Sequence, residues 1–164
     1  MSVRTVLVFP DSRLRNVAID VSVFDEELKQ LADDMIETMY AEKGIGLAAP
    51  QINVSKRIIT VDVSEDQSDP MVLVNPVITN SEGEQICQEG CLSVPDIYAE
   101  VSRAEKISVS AQDVNGQSFD LDADDLLAVC IQHEIDHLDG KVFVDYLSPA
   151  KRLRIQKKML KRKA

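Results

Sequence analysis

The sequence predicts an α+β domain in which antiparallel sheets pack around one central helix, with a basic helix at the C-terminus. Three observations predict it. Two β-branched runs and a strand pair joined at Asn115-Gly116 supply sheet. Helical spacing is confined to three separate segments, so strands and helices do not alternate as in a parallel fold. The 164 residues, 45% of them hydrophobic, suffice for one core, because a chain of this size buries roughly 70% of its unfolded surface.

The elements follow in order. Val6-Leu7-Val8-Phe9, ahead of Pro10-Asp11, reads as a short strand or extended lead-in. Asp25 is placed to N-cap a helix running to about Tyr40, since Leu28, Leu31, Met35 and Met39 form one stripe; Gly44 and Gly46 end it. Residues 57–63 (RIITVDV) and 71–79 (MVLVNPVIT) read as strands, with Pro76 requiring an edge or a bulge because it lacks an N–H. Residues 106–113 alternate and turn through Val114-Asn115-Gly116 into 117–121. A second helix is expected over about 124–138, with Gly140 just past its end. Ser148-Pro149 forms an N-cap and N1 pair for a terminal helix whose thin apolar stripe is Leu153, Gln156, Met159 and Leu160. No linker or repeat divides the chain, so residues 1–147 are read as the main unit and 148–164 as a basic helical tail of the same domain.

Charge narrows the function. Eight of the 18 basic residues lie in 151–164, which holds no acid, so the rest carries ten basic against 28 acidic side chains. Such a body repels nucleic acid, and any binding to RNA is expected of the tail. No apolar run approaches the length of a membrane span, and no signal or transit segment is evident, so a cytoplasmic protein without membrane contact is expected. Three cysteines, Cys87, Cys91 and Cys130, are an odd number that argues against a disulfide framework.

The strongest chemical signal is His133-Glu134-Ile135-Asp136-His137. On a helix, residues four apart stack on one face, so both imidazoles can grip one metal while Glu134 reaches a water on that metal. These are the only two histidines in the chain, and the surrounding apolar positions make unpartnered imidazoles costly. A third donor is still needed. No Glu or His follows His137, which leaves Asp145 downstream or Cys91 upstream, in Gln88-Glu89-Gly90-Cys91-Leu92-Ser93-Val94-Pro95. A Cys-His-His set with an open position is a catalytic arrangement. Cys87 and Cys130 are expected to be small buried apolar residues.

Taken with Gly44-Ile45-Gly46-Leu47-Ala48-Ala49-Pro50-Gln51 and Glu89-Gly90-Cys91-Leu92-Ser93, in that order ahead of Gln132-His133-Glu134-Ile135-Asp136-His137, the chain resembles the peptide deformylases over essentially its whole length. The resemblance implies hydrolysis of the N-formyl group of N-terminal formylmethionine on nascent polypeptides, through attack of a metal-bound water on the formyl carbonyl. It implies that Cys91, His133 and His137 hold one divalent ion, typically Fe(II), with Zn, Ni or Co able to substitute. Glu134 would be the general base and acid, and Gln51 with the backbone N–H of Leu92 would stabilise the oxyanion. Gly46 would bind substrate backbone; Ile45, Cys87, Leu126, Val129 and Cys130, with the ring of His133, would form the methionine pocket. Glu89 and Arg103 would pair behind Cys91, with Asp136 in a supporting contact and not a ligand.

Two positions depart from the family's pattern: Tyr98 stands where well-known bacterial members carry an Arg that binds the peptide, and Lys43 replaces an acid found in some. The resemblance also implies ribosome contact through the basic tail by an otherwise monomeric enzyme. Two rival readings are a peptide-bond metalloprotease with Asp145 as third ligand and a structural metal site in a ribosome-binding module. Neither accounts for Gln51 and the glycine segment.

Overall fold

The structure, a computed structural model, describes residues 2–163. In chain order it contains α1 (Glu26–Ala41), β1 (Gly46–Ala48), β2 (Ile58–Val61), β3 (Met71–Glu82), β4 (Gln85–Cys91), β5 (Val94–Arg103), β6 (Lys106–Gln112), β7 (Ser118–Asp124), α2 (Asp125–Leu138) and α3 (Pro149–Lys163). Short 3-10 turns occupy Ser12–Arg15, Ala49–Ile52 and Phe143–Tyr146. Five strands form one sheet in the order β1-β2-β3-β6-β7, and β4 and β5 form a separate ribbon. Every strand pair is antiparallel.

The α+β class and the central helix hold. α2 lies against β1, β2, β6 and β7, burying Ala128, Ile131, Ile135 and Leu138 on Ile59, Val61, Leu73 and Val109. Asp25 caps α1 by accepting the N–H of Leu28 at 3.1 Å, and Leu28, Met35 and Met39 pack on Leu47 and Ile58. β3 runs through the middle of the sheet despite Pro76. The register shifts between Val74 and Val77, and Asn75, at φ 52°, turns its side chain onto the backbone of Val21. The bulge is what lets a proline sit between two hydrogen-bonded neighbours.

Some features differ from the expectation or go beyond it. Of the two readings of residues 6–9, the extended lead-in holds: they do not join a sheet but form a strap in which the N–H of Leu7 donates to Gln51 O and that of Phe9 to Ser93 O, each at 2.7 Å. β1 and the β4–β5 ribbon were not anticipated as strands, and Ser93 and Pro95 belong to a hairpin and its return strand. The apolar stripe of α3 is also different. Ile155 and Met159, four apart, dock on Leu7, Phe9, Val94 and Phe143, whereas Leu153 and Leu160 face away and are about half exposed. Residues 153 and 160 share one side of the helix, and 155 and 159 share nearly the opposite one. The placement of the tail's last residue, Ala164, lies outside the described residues.

Candidate metal centre and active site

Three elements meet at one point. α2 presents His133, Glu134 and His137; the end of β4 presents Cys91; the turn after β1 presents Gln51. α2 places 133 and 137 one turn apart, their rings meeting edge to face with centroids 5.0 Å apart. Cys91 Sγ lies 3.3 Å from His137 Nε2, and the donor atoms of Cys91, His133 and His137 all fall within 4.8 Å of one another. A tetrahedral ion with bonds of roughly 2.0–2.3 Å spaces its donors by roughly 3.3–3.8 Å, so the set fits one metal after small adjustments. Among the described residues this is the one such cluster of His, Cys and carboxylate groups. Asp145 stands outside it, held by Arg15 at 2.6 and 2.9 Å and capping the N–H of Val142. The protease reading loses its ligand.

Gln51 is buried and fixed at both ends of its amide. Its Oε1 accepts the N–H of Ala48 at 2.9 Å, and its Nε2 donates to Ser93 Oγ at 3.0 Å and faces Cys91 Sγ at 3.5 Å. The 6–9 strap, bonded to Gln51 O and Ser93 O, ties this turn to the hairpin tip. The N–H of Ser93 points at Cys91 Sγ from 3.4 Å.

Behind the donors runs a polar chain, buried at His133, Glu89 and Arg103 and reaching the surface at Asp136 and Tyr146. His133 Nδ1 donates to Glu89 Oε1 at 2.8 Å, which leaves Nε2 for a metal. Glu89 receives both Nε and Nη2 of Arg103, at 2.7 and 2.9 Å. Arg103 turns its remaining Nη1 to Asp136 at 2.5 Å, and Tyr146 donates its hydroxyl to Asp136 at 2.7 Å while its ring lies 4.9 Å from the guanidinium carbon. The expected Glu89–Arg103 pair is present, and Asp136 supports it instead of ligating. Tyr146 and Phe143, whose ring stacks on His133 at 6.2 Å, were not singled out from sequence. Nothing local marks them, because their partners are remote in the chain.

The electrostatics suit a cation. Burial lowers the pKa of His137 well below its ordinary value, aided by the charge of His133, so its lone pair is free. Burial acts the same way on His133 but is outweighed by Glu134, Cys91 and Glu89, which hold its proton well above the usual range. That negative field is one a divalent ion would relieve. Glu134, buried on α2, is pushed by that burial up to about 7. Its Oε1 is buried with no partner, as is His137 Nδ1. A carboxylate of near-neutral affinity with an unsatisfied oxygen is suited to pass a proton.

Two openings meet the donors. A cleft of about 480 Å³ is lined by residues 42–46, Gln51, Gly90, Cys91, Leu92, Pro95, Asp96, Tyr98, His133 and Glu134. A smaller recess of about 100 Å³ opens between β4 and α2, lined by Ile45, residues 87–90, Leu126, Val129, Cys130, His133 and Glu134. All the residues expected to form a pocket share this recess. Cys130 is buried as anticipated, but Cys87 is half-buried, because the recess exposes it. Gly46 has a reason beyond access to its backbone: a Cβ there would sit 2.5 Å from Glu134 Oε2 and 2.8 Å from Cys130 Sγ.

Known proteins share these features. The family model described as polypeptide deformylase matches residues 3–153. The chain is 54% identical over 161 residues to a peptide deformylase of Pseudoalteromonas translucida (strain TAC 125), covering 98% of this chain and 96% of that one. It is 56% identical over 161 residues to one from Hamiltonella defensa subsp. Acyrthosiphon pisum, covering 98% and 94%. Among solved structures, a peptide deformylase from Legionella pneumophila superposes with a TM-score of 0.94 at 50% identity, covering 99% and 96%. The Ehrlichia chaffeensis peptide deformylase in complex with actinonin gives a TM-score of 0.95 at 40% identity, covering 99% and 98%. With a match that spans most of the sequence and a metal-donor cluster at the heart of the fold, the chain belongs to the polypeptide deformylase family.

Proposed function

We propose that this chain removes the N-formyl group from the N-terminal formylmethionine of nascent polypeptides, with Cys91, His133 and His137 holding one divalent metal. The observation that carries the reading is the convergence of those three donors beside the buried carboxylate of Glu134, whose Oε1 has no hydrogen-bond partner. A bound divalent ion supplies Lewis acidity at the formyl oxygen and lowers the pKa of water. Glu134 accepts the proton of the attacking water and returns it to the departing amine as the C–N bond breaks, giving formate and a free N-terminus; such transfer contributes about 10²–10⁴ in rate. Gln51 Nε2, already aimed at Cys91 and Ser93, and the N–H of Leu92 donate to the oxygen that gains charge, and losing one such donor costs about 10²–10³.

The methionine side chain enters the recess bounded by Ile45, Cys87, Leu126, Val129, Cys130 and His133, and the backbone of Gly46 on the edge strand β1 holds the peptide. Glu89 and Arg103 orient His133 and set its donor nitrogen. Fe(II) is the physiological ion in this reading; one thiolate and two imidazoles also accept Zn, Ni or Co. The test is formate release from formyl-Met-Ala-Ser by protein purified anaerobically with Fe(II). Turnover that chelation abolishes and Fe(II) restores supports the reading, and full metal with no formate contradicts it.

The catalytic unit comprises residues 1–147, and 148–164 is its basic tail, carrying the enzyme as a cytoplasmic monomer to the ribosome. No helix among the described residues is long and apolar enough to cross a membrane. α3 is anchored by Met159 and Ile155, which leaves Leu153 and Leu160 outward with the exposed Lys151, Arg152, Arg154, Lys157, Lys158 and Lys161, suited to RNA phosphates. Ribosome co-sedimentation that weakens with salt and is lost on replacing Lys157, Lys158 and Lys161 with Glu supports this role; salt-insensitive binding contradicts it.

A further inference from the structure

We propose that Tyr146 is a positioning residue for the metal, one that covers Arg103 and through it holds Glu89 and His133 in place; the proposal rests on the metal-holding reading above. Four side chains form a closed circuit that begins and ends on α2. His133 donates to Glu89 on β4, Glu89 is gripped by Arg103 at the end of β5, and Arg103 returns to Asp136 on α2. Glu89 Oε1 is the shared point of this circuit, because it accepts both His133 Nδ1 and Arg103 Nη2. A guanidinium that shifts therefore moves the carboxylate that sets the imidazole.

Tyr146 acts on Arg103 in two ways. Its hydroxyl donates to Asp136 Oδ2, the same oxygen that takes Arg103 Nη1, and so fixes the carboxylate at the outer end of the circuit. Its ring, 4.9 Å from the guanidinium carbon, lies within the range of a favourable cation–ring contact. That ring is also a cover. Arg103 lines a groove of about 360 Å³ that shares no lining residue with the substrate cleft, yet it is only 6% exposed, and Tyr146 lines the same groove. Taking the ring away opens the groove onto the guanidinium, and water there weakens its attraction to Glu89. The same 3-10 turn stacks Phe143 on His133, so one short segment touches the circuit at the imidazole and at the guanidinium.

The experiment measures release of Zn(II) to excess chelator from the full-length, Zn(II)-loaded protein. Tyr146→Ala should release the metal about five-fold faster than wild type, and Tyr146→Phe, which keeps the ring and loses the hydroxyl, about two-fold faster. In an Arg103→Ala background, Tyr146→Ala should add nothing, because a side chain that acts through Arg103 has nothing left to act on. A residue that merely supports the fold would speed release by the same factor in both backgrounds. Arg103→Lys, which keeps the charge but cannot grip Glu89 through two bonds, repeats the comparison in a milder background, where the acceleration should fall below about two-fold. Release is read on protein already loaded, so partial loss of folded protein lowers the amplitude and not the rate. Wild-type release from Tyr146→Ala overturns the proposal, as does equal acceleration with and without Arg103. Wild type that binds no Zn(II) overturns the metal site and this proposal with it.

Discussion

Replacing Gly46 by Ala adds one carbon at the tightest point between β1 and α2. That carbon would lie 2.5 Å from Glu134 Oε2, 3.0 Å from Glu134 Cδ and 2.8 Å from Cys130 Sγ, where ordinary contact begins at 3.4 Å. The overlaps amount to about 0.9, 0.4 and 0.6 Å. Cys130 and Glu134 stand one turn apart on the same face of α2, so a rotation of the helix that relieves one contact does not relieve the other. Either the carboxylate retreats by close to 1 Å or β1 lifts from the helix. A displacement of that size in a reacting group costs about 10² in rate, and overpacking of this kind costs about 1–3 kcal/mol of stability. None of the clashing atoms is a metal donor, so metal content should stay at wild-type level. The assay is formate release at saturating formyl-Met-Ala-Ser, with bound metal and circular dichroism measured on the same sample. A Gly46→Ala protein that keeps metal and turns over within three-fold of wild type would refute the reasoning.

Two other predictions concern the polar interior. Arg103→Ala leaves Glu89 buried, and Asp136 half-buried, without their cation, a loss of about 3–5 kcal/mol; it should lower the unfolding temperature and speed release of Zn(II) to a chelator by about 10–100-fold, whereas wild-type release would sever Arg103 from the metal site. Acid stability should depend on Asp34: burial would raise its pKa, but Arg4, Gln30 and the N–H of Ser2 hold it below the ordinary value. With the folded value the lower one, the stabilisation is present above about pH 4 and is lost as pH falls through the folded pKa. Asp34→Asn should therefore flatten the decline of the denaturant midpoint between pH 6 and pH 3, and parallel curves for the two proteins would count against it.

What the sequence could convey depended on whether a signal was local. The His133–His137 spacing, the capped α1 and the Asn115-Gly116 hairpin are written in consecutive residues, and each is where expected. The β4–β5 ribbon was missed because both of its faces are used at different depths. Along Gln85–Cys91 only Glu89 is buried, and that residue is charged, so no apolar alternation announces a strand. Glu89 can be buried there because Arg103 and His133 reach it from strands and helices far along the chain, a pairing that the family resemblance suggested and spacing does not contain. Asp136 was set aside as a ligand on the same resemblance, but Tyr146 and Phe143 carry no motif and become functional only through packing. The tail shows the opposite failure. Two apolar pairs on nearly opposite sides of one helix give an ambiguous pattern, and only the docking of Met159 into the cluster around Phe9 and Phe143 selects between them.

The account turns on Glu134 as the proton carrier of a metal hydrolase, and the most direct measurement is Glu134→Gln assayed beside wild type for both metal content and formate release. Gln is nearly isosteric, and Glu134 is not among the three donors, so the variant should retain one equivalent of Fe(II). It should lose formate release by at least about 10². A variant that holds metal and still hydrolyses formyl-Met-Ala-Ser at the wild-type rate would contradict the assignment at its centre.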